Sequence, residues 1–227
     1  MLFGWERVHP VIHYLATIMV AFDANLSTFW ILVANSWLQT PVGGEMVDGK
    51  FIVSDYFQAI SNPFMVKSVS SHMFFRTLET SLFVIGGISA WYILNNRYQV
   101  FFARSLKIVL AAAIAVTPLQ IYIGHLSAEQ VAHYQPTKLA AMEAKWETSP
   151  AGQPADWSLL ALPDEAGQKN TWEITIPNGL GYILEFKKNL SEPVRGLKEW
   201  APSARPRMVG LIYYSFRIMS GIGFFLG

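Results

Sequence analysis

The chain has 227 residues, of which 52% are hydrophobic and only 15% charged, with a mean hydropathy of +0.28 and a formal net charge of +1. That balance offers no basic stripe for neutralising nucleic-acid phosphates, so nucleic acid is set aside, and the apolar excess points to a membrane. With no cysteine, disulfides, thiolate iron–sulfur ligation and thiol catalysis are excluded, and any metal or haem must be held by His, Met or carboxylate.

The first ten residues lack a cationic region followed by an apolar core and a small-residue cleavage site, so no removable signal peptide is expected. A spanning helix needs roughly 20 mostly apolar residues. Four segments approach this. The first runs from Pro10, acceptable in a first helical turn, to Trp37, and ends before Pro41-Val-Gly-Gly. The second covers about Ser70 to Leu94, where Gly86-Gly87 permits close helix packing. The third, about Val100 to Gly124, has an Ala-rich middle and a kink expected at Pro118. The fourth starts near Met208 and runs to Gly227.

Between the third and fourth segments, Leu126 to Arg207 holds eight of the twelve prolines and most of the Lys and Glu, which marks a water-exposed loop domain. Ala128 to Thr148 reads as an amphipathic helix, and Trp172-Glu-Ile-Thr-Ile176 alternates like a short strand. The organisation expected is therefore three spanning helices in residues 1–125, a loop domain in 126–207 and a fourth span starting in 208–227. The fold class is an all-α, polytopic transmembrane helix bundle. Arg97, Arg104 and Lys107 in the connection Asn95 to Lys107 put that connection on the cytoplasmic side and the large loop outside.

Ionisable groups within a span are costly and need a partner, a cavity or a task. His72 lies near the outer end of the second span and Met219 about three turns into the fourth, at a similar depth. Such a His/Met pair from two helices can ligate low-spin haem, with Arg217 available to a propionate. The bland alternatives are a structural histidine at a helix end and a packing methionine. In the large loop, Lys138 and Glu143 are five apart, about 140° on a helix, too far round for a tight pair but able to flank a ligand. A carboxylate there could take a quinol proton while the lysine holds an oxygen; the plain alternative is a solvated charged face. On the first span Glu6 and His13 share a face, followed by Asp23, Ser27, Asn35 and Ser36, which suit either a proton path or interhelical hydrogen bonds. Arg76 and Glu79, at i and i+3, read as an internal ion pair.

These residues fall in ordered blocks: Gly4-Trp5-Glu6-Arg7, the run from Asn25 to Trp37, Gly87-Ile-Ser-Ala-Trp-Tyr92, Thr137-Lys-Leu-Ala-Ala-Met-Glu143 with Trp146-Glu-Thr148, and Phe216-Arg-Ile-Met219. Together they resemble subunit I of the cytochrome bd quinol oxidases, along essentially the whole chain. The resemblance implies that His72 and Met219 ligate the iron of low-spin haem b with Arg217 beside it, and that Lys138 and Glu143 bind and oxidise quinol. It further implies that Glu6, Ser27 and Asn35 serve a proton route from the cytoplasm. Spans that the family places before and after these blocks, with ligands of the second haem b and haem d, are not among them, so a central portion of subunit I is expected. The stretch Lys67-Ser-Val-Ser-Ser departs from the commoner Lys-Phe-Val pattern, and His125 stands where many relatives carry an aspartate.

The function expected is electron transfer from membrane quinol to haem b within an oxidase that reduces oxygen to water. Its setting would be a bacterial or archaeal cytoplasmic membrane, with lipid, subunit II and a small accessory subunit as partners. The alternatives are a haem-free membrane scaffold and a small transporter; the latter would call for a pair of symmetric discontinuous helices, which the chain lacks.

Overall fold

The computed structural model describes residues 4, 7–62, 70–184 and 193–226. Glu6 and the Lys67-Ser-Val part of the stretch before His72 lie outside them. Among the described residues four helices are long and apolar enough to cross a membrane. The chain forms two compact units, residues 1–70 and 71–227.

The first unit is built on α1 (Pro10–Gln39), which carries proline in its first turn, with the His9 ring accepting from the Val11 N–H. It ends where the Thr40 N–H and hydroxyl both turn back onto the Ser36 carbonyl, and the Asn62 amide clasps the Thr40 carbonyl and hydroxyl at 2.7 Å each. A hairpin follows, β1 (Gly44–Val47) paired antiparallel with β2 (Lys50–Val53), then the short α2 (Tyr56–Ile60) capped by Asp55. The hairpin turns on Asp48-Gly49, both at positive φ, a two-residue pattern whose twist suits paired strands. That signal stood in the sequence within what reads simply as a loop.

The second unit opens with a helical hairpin, α3 (Ser71–Leu94) and α4 (Gln99–Tyr134). Residues 95–98 alone connect them, with Asn96 and Tyr98 left-handed, so Arg104 and Lys107 stand within α4 rather than in the connection. The two helices approach closely at Gly86, where an added Cβ would lie 3.3 Å from Val109 Cγ1, while Gly87 faces open space. Fully buried Ser89 bonds Ser105, and Tyr92 stacks on Phe102 with centroids 4.3 Å apart. No ion pair joins Arg76 to Glu79: Arg76 lies on the exposed face while Glu79 is half-buried.

α4 passes through Pro118 and continues to Tyr134, so residues 128–134, expected to open the amphipathic loop helix, are its last turns. Pro136, which has no N–H to continue the ladder, breaks it and begins α5 (Pro136–Met142). The loop then forms β3 (Trp157–Asp164) and β4 (Lys169–Ile176), an antiparallel hairpin that includes the anticipated alternating strand. α6 (Gly179–Leu184), two 3-10 turns at Leu197–Glu199 and Pro202–Ala204, and α7 (Val209–Leu226) complete the described chain.

Ala140, Ala141, Trp146, Leu197 and Val209 bury one another, joining α5 and the first 3-10 turn to the start of α7. Backbone bonds from Leu197 and Lys198 to the carbonyls of Lys145 and Trp146 tie the two ends of the loop together. Only glycine fits at position 196, where a Cβ would fall 2.3 Å from the Glu147 carbonyl carbon.

Candidate functional site

Glu143 sits at the C-terminus of α5, where Ala144 adopts a left-handed backbone (φ 48°) and turns the chain away. This places the carboxylate in the interior, 5% exposed, against Arg217 of α7. The guanidinium reaches Glu143 Oε2 at 2.5 Å and Oε1 at 3.4 Å from its two terminal nitrogens. One of them also donates to the Ser158 carbonyl at 2.8 Å. Trp157, Tyr213 and Phe216 present ring faces to the guanidinium, with centroids 4.8–5.6 Å from Cζ. The Arg217 Nε–H is buried without a partner.

β3 supplies more than a wall. Its pairing with β4 is irregular between Ser158 and Leu160, and the Ser158 carbonyl receives the Tyr213 hydroxyl at 3.0 Å as well as Arg217. The Tyr214 hydroxyl donates to the Ala161 carbonyl at 2.8 Å. Three side chains of α7 thus fasten the loop hairpin, and Asn170 of β4 fastens the turn beneath Glu143, donating to the Ala144 carbonyl at 3.1 Å and accepting the Trp146 indole N–H at 3.0 Å.

Burial pushes the Glu143 carboxyl above the ordinary carboxylate range, with the Arg217 hydrogen bonds and charge opposing that rise. Lys138 is on the exposed side of α5, and partial desolvation of its ammonium lowers its pKa. Lys145 is also lowered by desolvation, with Asp156, Glu173 and Glu143 acting against it. The two loop residues are therefore not alike: Glu143 turns inward, Lys138 outward, and they form no ion pair with each other.

His72 lies one residue into α3, half-buried against α4, with Gln120 Nε2 3.3 Å from its Nδ1. Gly124, one turn after Gln120, lies against the ring: a Cβ there would stand 3.5 Å from His72 Cε1, in ordinary van der Waals contact. Met219 is on α7, 46% exposed, two residues beyond Arg217. Its helix packs against α5 and β3, and among the described residues no hydrogen bond joins Met219 to His72. Among the described residues the imidazole of His72 is engaged at Nδ1, the thioether of Met219 is accessible on a separate helix, and the Arg217 Nε–H is unpartnered; these are the donor types that a haem iron and a propionate take.

On the first span, Ser27 and Asp23 are exposed, Asn35 accepts from Gln39 at 2.8 Å, and fully buried Ser36 has a hydroxyl without a partner. His125, at the departure from the family pattern, stands 3.3 Å from Glu129 one turn on. The sequence reading missed Gln120, Tyr213 and Asn170. Gln120 was the one open to detection, as an uncharged polar residue in the middle of an apolar helix.

These features describe a polytopic membrane protein whose folded water-facing loop is locked to the apolar helix Val209–Leu226 by a buried ion pair. The family model for cytochrome bd terminal oxidase subunit I matches residues 1–227. The chain is 34% identical over 230 residues to cytochrome bd ubiquinol oxidase subunit 1 of Bacillus subtilis, covering 98% of this chain and 48% of that protein. It is 37% identical over 211 residues to cytochrome bd-II ubiquinol oxidase subunit 1 of Escherichia coli, covering 91% and 40%. The solved bd oxidase of Geobacillus thermodenitrificans superposes with a TM-score of 0.82 at 28% identity, covering 99% of this chain and 50% of that one. The chain belongs to the cytochrome bd terminal oxidase subunit I family, and spans about half the length of the relatives it matches.

Proposed function

We propose that this chain is the part of a quinol oxidase subunit I that oxidises membrane quinol at the large loop and passes the electrons to a low-spin haem b ligated by His72 and Met219. The observation that carries the reading is the buried pair of Glu143 and Arg217, because it couples the loop to the helix that bears Met219 two residues further on. When bound, the haem supplies an iron that takes one electron at a time from the two-electron donor.

The chain's own residues do the proton work and the positioning. Glu143, with a carboxyl raised by burial, is a better base than an exposed glutamate and accepts a hydroxyl proton of the quinol. Arg217 holds that carboxylate in place and stabilises its ionised form, and the exposed Lys138 holds the second quinol oxygen. The arene-lined flank made by Trp157, Tyr213 and Phe216 keeps water from the guanidinium. In this reading the loop faces outside the cytoplasmic membrane and releases its protons there, Glu6 and Ser27 belong to a cytoplasmic proton route, and subunit II with an accessory subunit completes the enzyme. Reduction of oxygen to water would be carried out by the oxidase as a whole, with further haem that the residues named here would not hold.

The test is a dithionite-reduced minus oxidised spectrum of the assembled oxidase. His72→Ala and Met219→Leu should each abolish the low-spin b band. Lys138→Met should raise the quinol KM at least tenfold with that band intact. A haem-free scaffold would show no b-type band in the parent, and a full low-spin band in His72→Ala would remove the ligand assignment.

A further inference from the structure

The His72 imidazole has its Nδ1 committed to one neighbour, Gln120, a residue only 9% exposed in the middle of α4. As placed, the amide nitrogen faces Nδ1 at 3.3 Å, and the amide oxygen is buried with no partner at all. A neutral imidazole carries one proton. In this arrangement Nδ1 accepts and the proton sits on Nε2, which leaves no lone pair for a metal.

We propose that Gln120 is a positioning residue for His72, its amide oxygen accepting the Nδ1–H so that Nε2 is left as the donor to haem iron. This rests on the reading of His72 as a haem ligand. Two observations support it beyond proximity. The far end of the amide has no hydrogen bond, so nothing opposes a half-turn about Cγ–Cδ that exchanges its oxygen and nitrogen in nearly the same volume. Gln120 and Gly124 lie one turn apart on the face of α4 toward the ring, so the ring packs on that face with the amide as its polar neighbour at Nδ1. An acceptor on the outer nitrogen of a ligating histidine fixes the ring and raises its basicity. That favours ferric over ferrous iron and holds the potential of the haem down.

The experiment uses the complete oxidase and reads the midpoint potential of the low-spin haem b. Gln120→Met keeps the volume and removes the acceptor, and should raise the potential. Gln120→Glu restores an oxygen acceptor, and should return the potential to the parent value or below. An unchanged or lowered potential in Gln120→Met overturns the proposal, as does a Gln120→Glu enzyme that merely copies it, since a packing role predicts the same shift for both. If Gln120→Met does not assemble, Gln120→Leu takes its place in the comparison. His72→Ala separates the two layers: loss of the low-spin band with unmoved Gln120 variants refutes the positioning role alone, and retention of the band refutes both.

Discussion

Arg217 and Glu143 lie 74 residues apart in the chain and meet with a nitrogen–oxygen distance of 2.5 Å, with their side chains 11% and 6% exposed. One comes from an apolar helix and the other from the end of a loop helix, so neither element reaches its position independently of the other.

Removing one partner from such a pair strands the other charge in the interior, at about 3–5 kcal/mol. Arg217→Met and Glu143→Leu are each expected to destabilise the protein on that scale, whereas the double variant should recover most of the loss. Thermal unfolding of the purified oxidase variants measures this. Additive losses in the double variant would show that the two residues act separately.

The Glu143 carboxyl is raised by burial, so the folded state holds its proton more tightly than the unfolded chain does. Its contribution to stability is present below the ordinary glutamate value of about 4.3 and is lost as pH rises through the raised folded value. The infrared C=O band of the protonated carboxyl should therefore persist above that ordinary value and be missing from Glu143→Gln across the whole range. A band that disappears at the ordinary value would contradict the burial argument.

Asn170 satisfies both the Trp146 indole N–H and the Ala144 carbonyl. Asn170→Ala leaves both without this partner, and at about 1–3 kcal/mol for each buried group the expected cost is on the order of 2–6 kcal/mol. Because the turn beneath Glu143 loosens, the loop should become more sensitive to limited proteolysis than α3 and α4. Equal sensitivity throughout would point to a global effect instead.

Gly86 and Gly87 offer an internal control for helix packing. A Cβ at Gly86 is already tight against Val109, so Gly86→Leu should force α3 and α4 apart at about 1–3 kcal/mol, and Gly87→Leu, which meets nothing within 4 Å, should be tolerated. Comparable losses of folded protein for the two variants would refute this picture of the α3–α4 contact.

The spans were legible because membrane crossing imposes length and apolarity on local sequence: Pro10, Leu94 and the onset of the fourth helix all fall within a residue or two of expectation. The end of α4 was not, because a water-facing continuation is as helical as the span itself and only Pro136 marks its stop. At the site, residue types were readable and their partners were not. Arg217 was expected to meet a propionate, yet two of its three nitrogens hold a glutamate and a strand carbonyl brought in by the loop. Such pairings depend on tertiary closure across many residues, which no local pattern encodes. The inward turn of Glu143 likewise depends on the left-handed Ala144, a conformation alanine does not advertise.

The β3–β4 hairpin is anchored along its strands, where Ser158 and Ala161 meet α7 and Asn170, close to the turn, meets the chain after α5, while the turn itself, Glu165 to Gln168, makes only local bonds such as those from Ala166 and Gly167 to Asp164. Lengthening a loop costs little free energy, about 0.6 kcal/mol for each doubling. The turn is therefore where an epitope or a fluorophore could be grafted to report on this face of the protein, and where lineages could gain or lose segments while the anchored strands on either side stay the same.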